Sequence, residues 1–175
     1  LFALLIIVSG TGLFLPQITV FGAVPEAAND WPTWRYDAER RAATPMALEQ
    51  DLHLQWVLEL PEPARAWPPQ PENADKLDFD VSYSPVVTGQ TLLVASMVND
   101  TLTAYDTRTG GGKWRFYADG PMRLAPAVHA GKVYAVSDDG FLYCLDVETG
   151  AELWRFRGAP EDRRLLGNKR LINMW

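Results

Sequence analysis

Cysteine and histidine are scarce in this sequence. Its 175 residues include one cysteine, Cys144, and two histidines, His53 and His129. A lone thiol cannot form a disulfide within the chain or a metal cluster of several cysteines. The histidines are far apart, and neither has a second ligand or a nucleophile at a recognisable spacing. We therefore predict that Cys144 is a small buried hydrophobe and that neither histidine is catalytic.

An excess of positive charge is also absent. Sixteen Lys and Arg stand against 22 Asp and Glu, which gives a net charge of -6. Proteins that bind DNA or RNA need a basic surface to neutralise phosphates. The sequence predicts no nucleic-acid partner. Its 47% hydrophobic and 22% charged residues are typical of a globular protein.

The first 25 residues contain no charged side chain. We predict that residues 1–28 are a signal peptide cleaved near Gly22 or Ala23, with an uncleaved membrane anchor as the alternative and a buried core segment as a third. The sequence starts with Leu and not Met, so we expect the beginning of this peptide to be missing. Both export alternatives predict an extracytoplasmic protein, in the periplasm or cell envelope, that touches membrane only through this segment.

Residues 29–81 read as a lead-in to the main domain. The stretch HLQWVLEL at 53–60 alternates apolar and polar residues, which predicts a strand with Trp56 on its buried side. Five prolines follow between residues 61 and 73. Proline cannot donate a hydrogen bond to a sheet, so this part is predicted to be an extended connection.

A repeat begins in the remaining segment, residues 82–175. LTAYDTRTGGGKWRF at 102–116 and FLYCLDVETGAELWRF at 141–156 share key residues at a constant offset of 40. Turn residues and short apolar runs predict four strands per copy, at Ser84–Thr88, Thr91–Met97, Leu102–Asp106, Lys113–Tyr117, Ala125–His129, Lys132–Ser137, Phe141–Asp146 and Glu152–Arg157. Four strands per forty residues predict an all-β propeller of four-stranded antiparallel blades. Two blades are present, and RRLLGNKRLINMW at 163–175 is predicted to begin a third.

Three positions in each copy have structural roles that physical chemistry explains. A carboxylate at a strand end accepts hydrogen bonds from the amides of the next turn, a glycine adopts the positive φ that closes the turn, and a tryptophan fills the wedge between twisted sheets. The repeat residues with these roles are Asp106, Gly110, Trp114, Asp146, Gly150 and Trp154. Blades of this kind need neighbours to bury their faces, so we expect an isolated pair to be poorly stable.

The run apolar-x-Ala/Cys-apolar-Asp-x-x-Thr-Gly-x-x-x-Trp-x-Phe resembles the repeat of the PQQ-like β-propellers, the quinoprotein alcohol dehydrogenase-like superfamily. The resemblance covers residues 82–157, and DWPTWR and LHLQW in the lead-in are similar to the opening of secreted bacterial members. WD repeats have a similar period, but this sequence contains no Trp-Asp pair.

The resemblance implies two classes of function. One is a noncatalytic binding or scaffold propeller like the outer-membrane assembly factor BamB, with protein partners. The other is an alcohol or sugar dehydrogenase that uses pyrroloquinoline quinone and calcium, whose cofactor residues would lie in blades beyond this sequence. The adjacent cysteines of methanol and ethanol oxidisers are absent here, and no calcium-binding loop is recognisable. We favour the first class and assign no catalytic, cofactor or metal residue.

The innermost strand of each blade is expected to face a central channel, where propellers meet ligands. Candidate channel-facing binding residues are those just before these strands: Asp80, Tyr83, Met122 and Arg123. Arg123 stands out because GPMRLAP places a cation among small and apolar residues. A salt bridge to a neighbouring blade is the alternative role for Arg123.

Overall fold

A computed structural model describes residues 30–66, 82–167 and 169–173. Every regular element within these ranges is a β-strand. No helix in the described ranges is long and apolar enough to span a membrane. The predicted signal peptide or anchor at 1–28 lies outside the described residues.

Two four-stranded antiparallel sheets form the body of the structure, and in each the strands pair in chain order. The first sheet contains β1 (Val86–Thr88), β2 (Thr91–Ser96), β3 (Thr101–Asp106) and β4 (Gly112–Tyr117), and the second contains β5 (Ala127–His129), β6 (Lys132–Val136), β7 (Phe141–Asp146) and β8 (Glu152–Arg157). All eight predicted strands are present, with no end displaced by more than two residues. The prediction of four-stranded antiparallel blades is confirmed.

The two sheets repeat each other down to their irregularities. The pairing of β3 with β4 shifts register after Ala104, and the pairing of β7 with β8 shifts after the equivalent residue, Cys144. Each shift is a β-bulge immediately before the repeat tryptophan. A β-bulge bends its strand and changes the direction of a side chain. The two bulges therefore orient Trp114 and Trp154 in the same way relative to their own sheets.

A single hydrophobic core joins the two sheets. Its fully buried members come from both, including Leu93 and Leu102 of the first sheet and Val133 and Leu145 of the second. Each such side chain contributes about 1.5–3 kcal/mol through removal of its surface from water. Phe116 and Tyr143 meet across the interface edge to face, with ring centroids 4.9 Å apart. The blades are therefore packed face to face as one unit.

The segment predicted to begin a third blade forms a two-stranded sheet of its own. Strands β9 (Arg164–Gly167) and β10 (Arg170–Asn173) pair with each other and with neither large sheet. The Arg170 guanidinium donates a 2.7 Å hydrogen bond to the Val98 carbonyl and also binds the Asp100 carboxylate. These contacts hold the hairpin against the turn that joins β2 to β3.

The predicted strand at 53–60 is wrong for the described structure. These residues form no ladder with any described strand, although Trp56 is half-buried. The alternating pattern gave the correct inward face of the segment. The pattern does not indicate which strand, if any, pairs with the backbone of the segment, and a β-strand is defined by that pairing.

Candidate functional site

The turn after β3 and the turn after β7 are built in the same way. Asp106 Oδ1 accepts hydrogen bonds from the Arg108 amide at 2.9 Å, the Thr109 amide at 2.9 Å and the Thr109 hydroxyl at 3.1 Å. These bonds hold the pKa of Asp106 below its ordinary value because they favour the charged carboxylate, and the bond from the Thr109 amide has the largest effect.

The second copy reproduces this arrangement. Asp146 Oδ1 accepts bonds from the Glu148 amide at 3.1 Å and from the amide and hydroxyl of Thr149, both at 2.8 Å. The Thr149 hydroxyl is the largest cause of the lowered pKa of Asp146. The two carboxylates therefore serve the turns and are not poised for acid–base chemistry.

Glycine is required in both turns for two reasons. Gly110 has φ 72° and Gly150 has φ 71°, a left-handed conformation that L side chains rarely adopt. A tryptophan ring also lies directly on each glycine. A Cβ added to Gly150 would stand 2.5 Å from Cε3 of Trp114, and one added to Gly110 would stand 2.9 Å from Cδ2 of Trp56.

A hydrogen bond fixes each of these tryptophans on its turn. Trp114 Nε1 donates to the Val147 carbonyl at 2.9 Å, and Trp56 Nε1 donates to the Thr107 carbonyl at 2.8 Å. Thr107 and Val147 are equivalent residues of the two repeats. Trp56 is therefore a second docking tryptophan, which sequence reasoning missed because it lies outside the forty-residue period. The LQWVL pattern around Trp56 was the available signal.

Trp154 occupies the same register position as Trp114 but has different surroundings. Trp114 is paired with Ala104 and lies against the second sheet, whereas Trp154 is paired with Cys144 and is 44% exposed. No described sheet covers the face of the second sheet that carries Trp154. Trp114 and Trp154 are therefore equivalent in their position within the blade, as predicted, but not in the residues that they contact.

The candidate channel residues take part in internal contacts. Asp80 lies outside the described residues. The Tyr83 hydroxyl donates to the Pro61 carbonyl at 2.9 Å, and Met122 is fully buried in the core. The assignment of the four residues to a channel-facing binding site stays a prediction.

Arg123 is held by groups of its own chain. Its Nε lies 2.6 Å from Asp138 Oδ2, and its NH1 donates to the Ala64 carbonyl at 2.7 Å. The side chain is only 8% exposed. Asp138 follows β6 of the second sheet, so this ion pair lies within the blade that Arg123 precedes and not across to a neighbour.

The lead-in segment is hydrogen-bonded to the innermost strand of both blades. Trp31 and Val87 exchange backbone hydrogen bonds of 2.8 and 2.9 Å, and the Val128 amide donates to the Pro32 carbonyl at 2.8 Å. The buried carboxylate of Asp30 accepts a 2.7 Å bond from the Gly89 amide. Sequence analysis did not anticipate this role, although the aromatic residues of DWPTWRYD were a signal of burial.

A polar groove lies between the turn that joins β1 to β2 and the repeat turn after β7. It is lined by residues that include Thr91, Lys113 and Glu148. Lys113 Nζ is 2.6 Å from Thr91 Oγ1 and 3.4 Å from Glu148 Oε2, so its charge is partly matched. In the described ranges no three His, Cys, Asp or Glu side chains are placed to hold a metal ion.

Two successive four-stranded blades, each with an Asp-x-x-Thr-Gly turn between its third and fourth strands and a tryptophan docked on the glycine of that turn, define a PQQ-like β-propeller repeat protein. The chain belongs to the family described as outer membrane protein assembly factor BamB, whose family model matches residues 26–172.

The chain is similar to parts of two larger solved structures. Quinohemoprotein alcohol dehydrogenase from Comamonas testosteroni is 26% identical with a TM-score of 0.53, over 74% of this chain and 19% of that one. BamB from Moraxella catarrhalis is 22% identical with a TM-score of 0.37, over 45% of this chain and 27% of that one. The chain thus spans a minor part of the length of these proteins. No curated protein matches it significantly.

Proposed function

We propose that this chain is part of an extracytoplasmic propeller that acts as a noncatalytic binding module for protein partners in outer-membrane protein assembly. The observation that carries the proposal is the match of the BamB family model to residues 26–172. The contacts of Arg123 and Tyr83 support it, because both side chains are used to fix loops of the propeller itself. Secretion through the apolar segment at 1–28 is part of this proposal.

The surface that we propose for partner binding includes the hairpin of β9 and β10. Leu166 and Leu171 are directly opposite each other in this hairpin and are 73% and 51% exposed. Adjacent exposed apolar side chains form a contiguous patch, and such patches mark interaction sites more often than scattered single residues do. The hairpin is fixed on the first sheet through Arg170, so it presents these leucines on a rigid support.

Deletion and complementation test the proposal. In a strain that lacks the gene, we expect the amount of folded outer-membrane β-barrel proteins to fall, and expression from the complete reading frame to restore it. A variant with Leu166→Ser and Leu171→Ser should restore less, while the matched variant Leu48→Ser, at an exposed leucine of the lead-in, should restore it fully. Unchanged barrel levels after deletion would overturn the proposal.

A quinone-dependent oxidoreductase is the second candidate, favoured by the likeness to quinohemoprotein alcohol dehydrogenase. The described residues do not fit pyrroloquinoline quinone and calcium as a ligand set, because Arg123 is paired with Asp138 and no metal-binding cluster is present among them. This candidate therefore requires that the ligands come from other parts of the protein. Dye-linked oxidation of an alcohol or sugar by the purified protein, dependent on added quinone and calcium, would establish it.

A further inference from the structure

An exposed cluster of one tryptophan and two arginines lies in the first loop of the lead-in segment. The guanidinium carbon atoms of Arg35 and Arg40 lie 5.6 and 5.2 Å from the centre of the Trp34 ring. We propose that these three residues, the Trp34 cluster, bind the carboxylates of an acidic segment in a protein partner. The inference goes beyond the proposed function, because it concerns residues other than the hairpin and does not depend on a role in outer-membrane protein assembly.

The charges of this loop are the first line of support. Its two acidic side chains, Asp37 and Glu39, both pair with Arg41, whose Nε lies 2.6 and 3.4 Å from their carboxylate oxygens. Neither Arg35 nor Arg40 forms an ion pair with a carboxylate of the described residues. Two positive charges are therefore left without a matching anion on this loop, in a chain whose net charge is -6.

Contact with the indole prepares both arginines for a ligand. A cation–π contact restricts an arginine side chain without requiring a hydrogen-bond acceptor, so its N–H donors stay available for a bidentate contact with a carboxylate. Trp34 is itself 48% exposed, which leaves apolar surface for a residue that flanks the carboxylate. Tryptophan and arginine are also enriched among the residues that dominate binding energy at protein interfaces.

The loop holds the Trp34 cluster on a fixed support. Tyr36 is buried and packs edge to face on Trp31, with ring centroids 5.3 Å apart. The buried carboxylate of Asp37 accepts hydrogen bonds from the Arg41 amide at 3.1 Å and the Arg41 guanidinium at 2.6 Å. A binding surface that is ordered before the ligand arrives loses less entropy when the complex forms.

A short acidic segment fits the Trp34 cluster better than an extended anionic surface such as a membrane does. Interactions between exposed charges are largely screened beyond about 8 Å at physiological salt. A peptide bound at Trp34 therefore meets mainly the two arginines. A bilayer would also face the acidic excess of the chain, which has 22 Asp and Glu against 16 Lys and Arg.

Fluorescence anisotropy with a synthetic peptide tests the inference. The probe is a fluorescein-labelled peptide of repeated Asp-Leu-Glu-Gly, and the control is the uncharged peptide of repeated Asn-Leu-Gln-Gly. With the protein expressed from the complete reading frame, we expect the acidic peptide to bind and its affinity to fall as sodium chloride is added. Equal affinity for the two peptides, or no binding of either, would overturn the inference.

Substitutions then assign the binding to the Trp34 cluster. Arg35→Gln and Arg40→Gln should each weaken binding of the acidic peptide about fivefold or more, as expected for residues that dominate an interface. The matched control is Arg108→Gln, which removes one charge from an exposed arginine of the first repeat turn and should change the affinity less than about twofold. Equal effects of the three substitutions would refute the assignment.

A charge-conserving variant separates a built site from general attraction. Arg35→Lys combined with Arg40→Lys keeps both charges but removes the planar donors, so it should also weaken peptide binding. Full affinity in this variant would contradict the proposal. Flotation with vesicles of phosphatidylglycerol and phosphatidylcholine tests the membrane alternative: if the glutamine variants lost vesicle binding and kept peptide binding, the proposal would be wrong. None of these measurements depends on outer-membrane protein levels, so their failure is distinct from failure of the proposed function.

Discussion

Substitution of Gly150 by alanine should destabilise the protein through two separable effects. The first is conformational, because alanine at φ 71° costs about 1–2 kcal/mol relative to glycine. The second is steric, because the new Cβ would lie 2.5 Å from the Trp114 ring, and contact between carbon atoms is favourable only at about 3.5–4.0 Å. The ring must withdraw, which weakens its bond to Val147. Forced overpacking of this kind costs about 1–3 kcal/mol.

The expected total is a loss of about 2–5 kcal/mol in the free energy of unfolding. Gly89→Ala is the matched control, because Gly89 has φ 52° and no atom within 4 Å of an added Cβ. It should cost only the conformational part, about 1–2 kcal/mol. Both substitutions thus carry the conformational cost, and only Gly150→Ala adds the steric cost.

Urea denaturation of the protein expressed from its complete reading frame, followed by far-ultraviolet circular dichroism, measures both changes. A double-mutant cycle with Trp114→Leu isolates the steric effect. In the Trp114→Leu background, Gly150→Ala should cost no more than Gly89→Ala does. Equal costs for the two glycine substitutions in the unchanged background would show that Trp114 does not rest on Gly150, and the docking argument would fail.

Three further outcomes are expected. The hydrogen bonds to Asp146 lower its pKa, and the bond from the Thr149 hydroxyl has the largest effect. The stability that these bonds provide is therefore present above about pH 4 and is lost as the pH falls through the lowered pKa. In the Asp146→Asn variant, the melting temperature should fall less steeply with pH on the acid side. Ala130→Asn should raise stability by up to about 1 kcal/mol in urea melts, because Ala130 has φ 48° before a glycine and Asn-Gly suits such a hairpin turn. Arg123→Met should cost about 3 kcal/mol by calorimetry, because it leaves Asp138 without its closest cation, and an unchanged melting temperature would contradict the assigned pair.

The repeating part of the fold could be predicted from the sequence because its signals are local. Asp106, Gly110 and Trp114 recur forty residues later, and each acts within a few residues of its own turn or on the neighbouring repeat. The strand limits follow from the same turns, which is why β7 and β8 were predicted without error. Local chemistry and tertiary structure agree throughout these two blades.

The lead-in segment could not be predicted because its contacts are distant. The residues near Trp56 and Trp31 indicate burial, but they do not show that Trp56 docks on the turn after β3 or that Trp31 pairs with Val87. Arg123 presents a different difficulty. A cation among apolar residues suggests either a ligand site or a buried ion pair, and only the position of Asp138 distinguishes them.

The covered inner edges of the blades also constrain the order of events during synthesis. Trp31 and Pro32 leave the ribosome well before Val87 and Val128, to which their backbones are bonded. At translation rates of about 5–20 residues per second, this segment waits on the order of ten seconds for its last partner. Its aromatic side chains are exposed throughout that interval. The inner edges of the two blades therefore acquire their cover only after the second blade has begun to be synthesised.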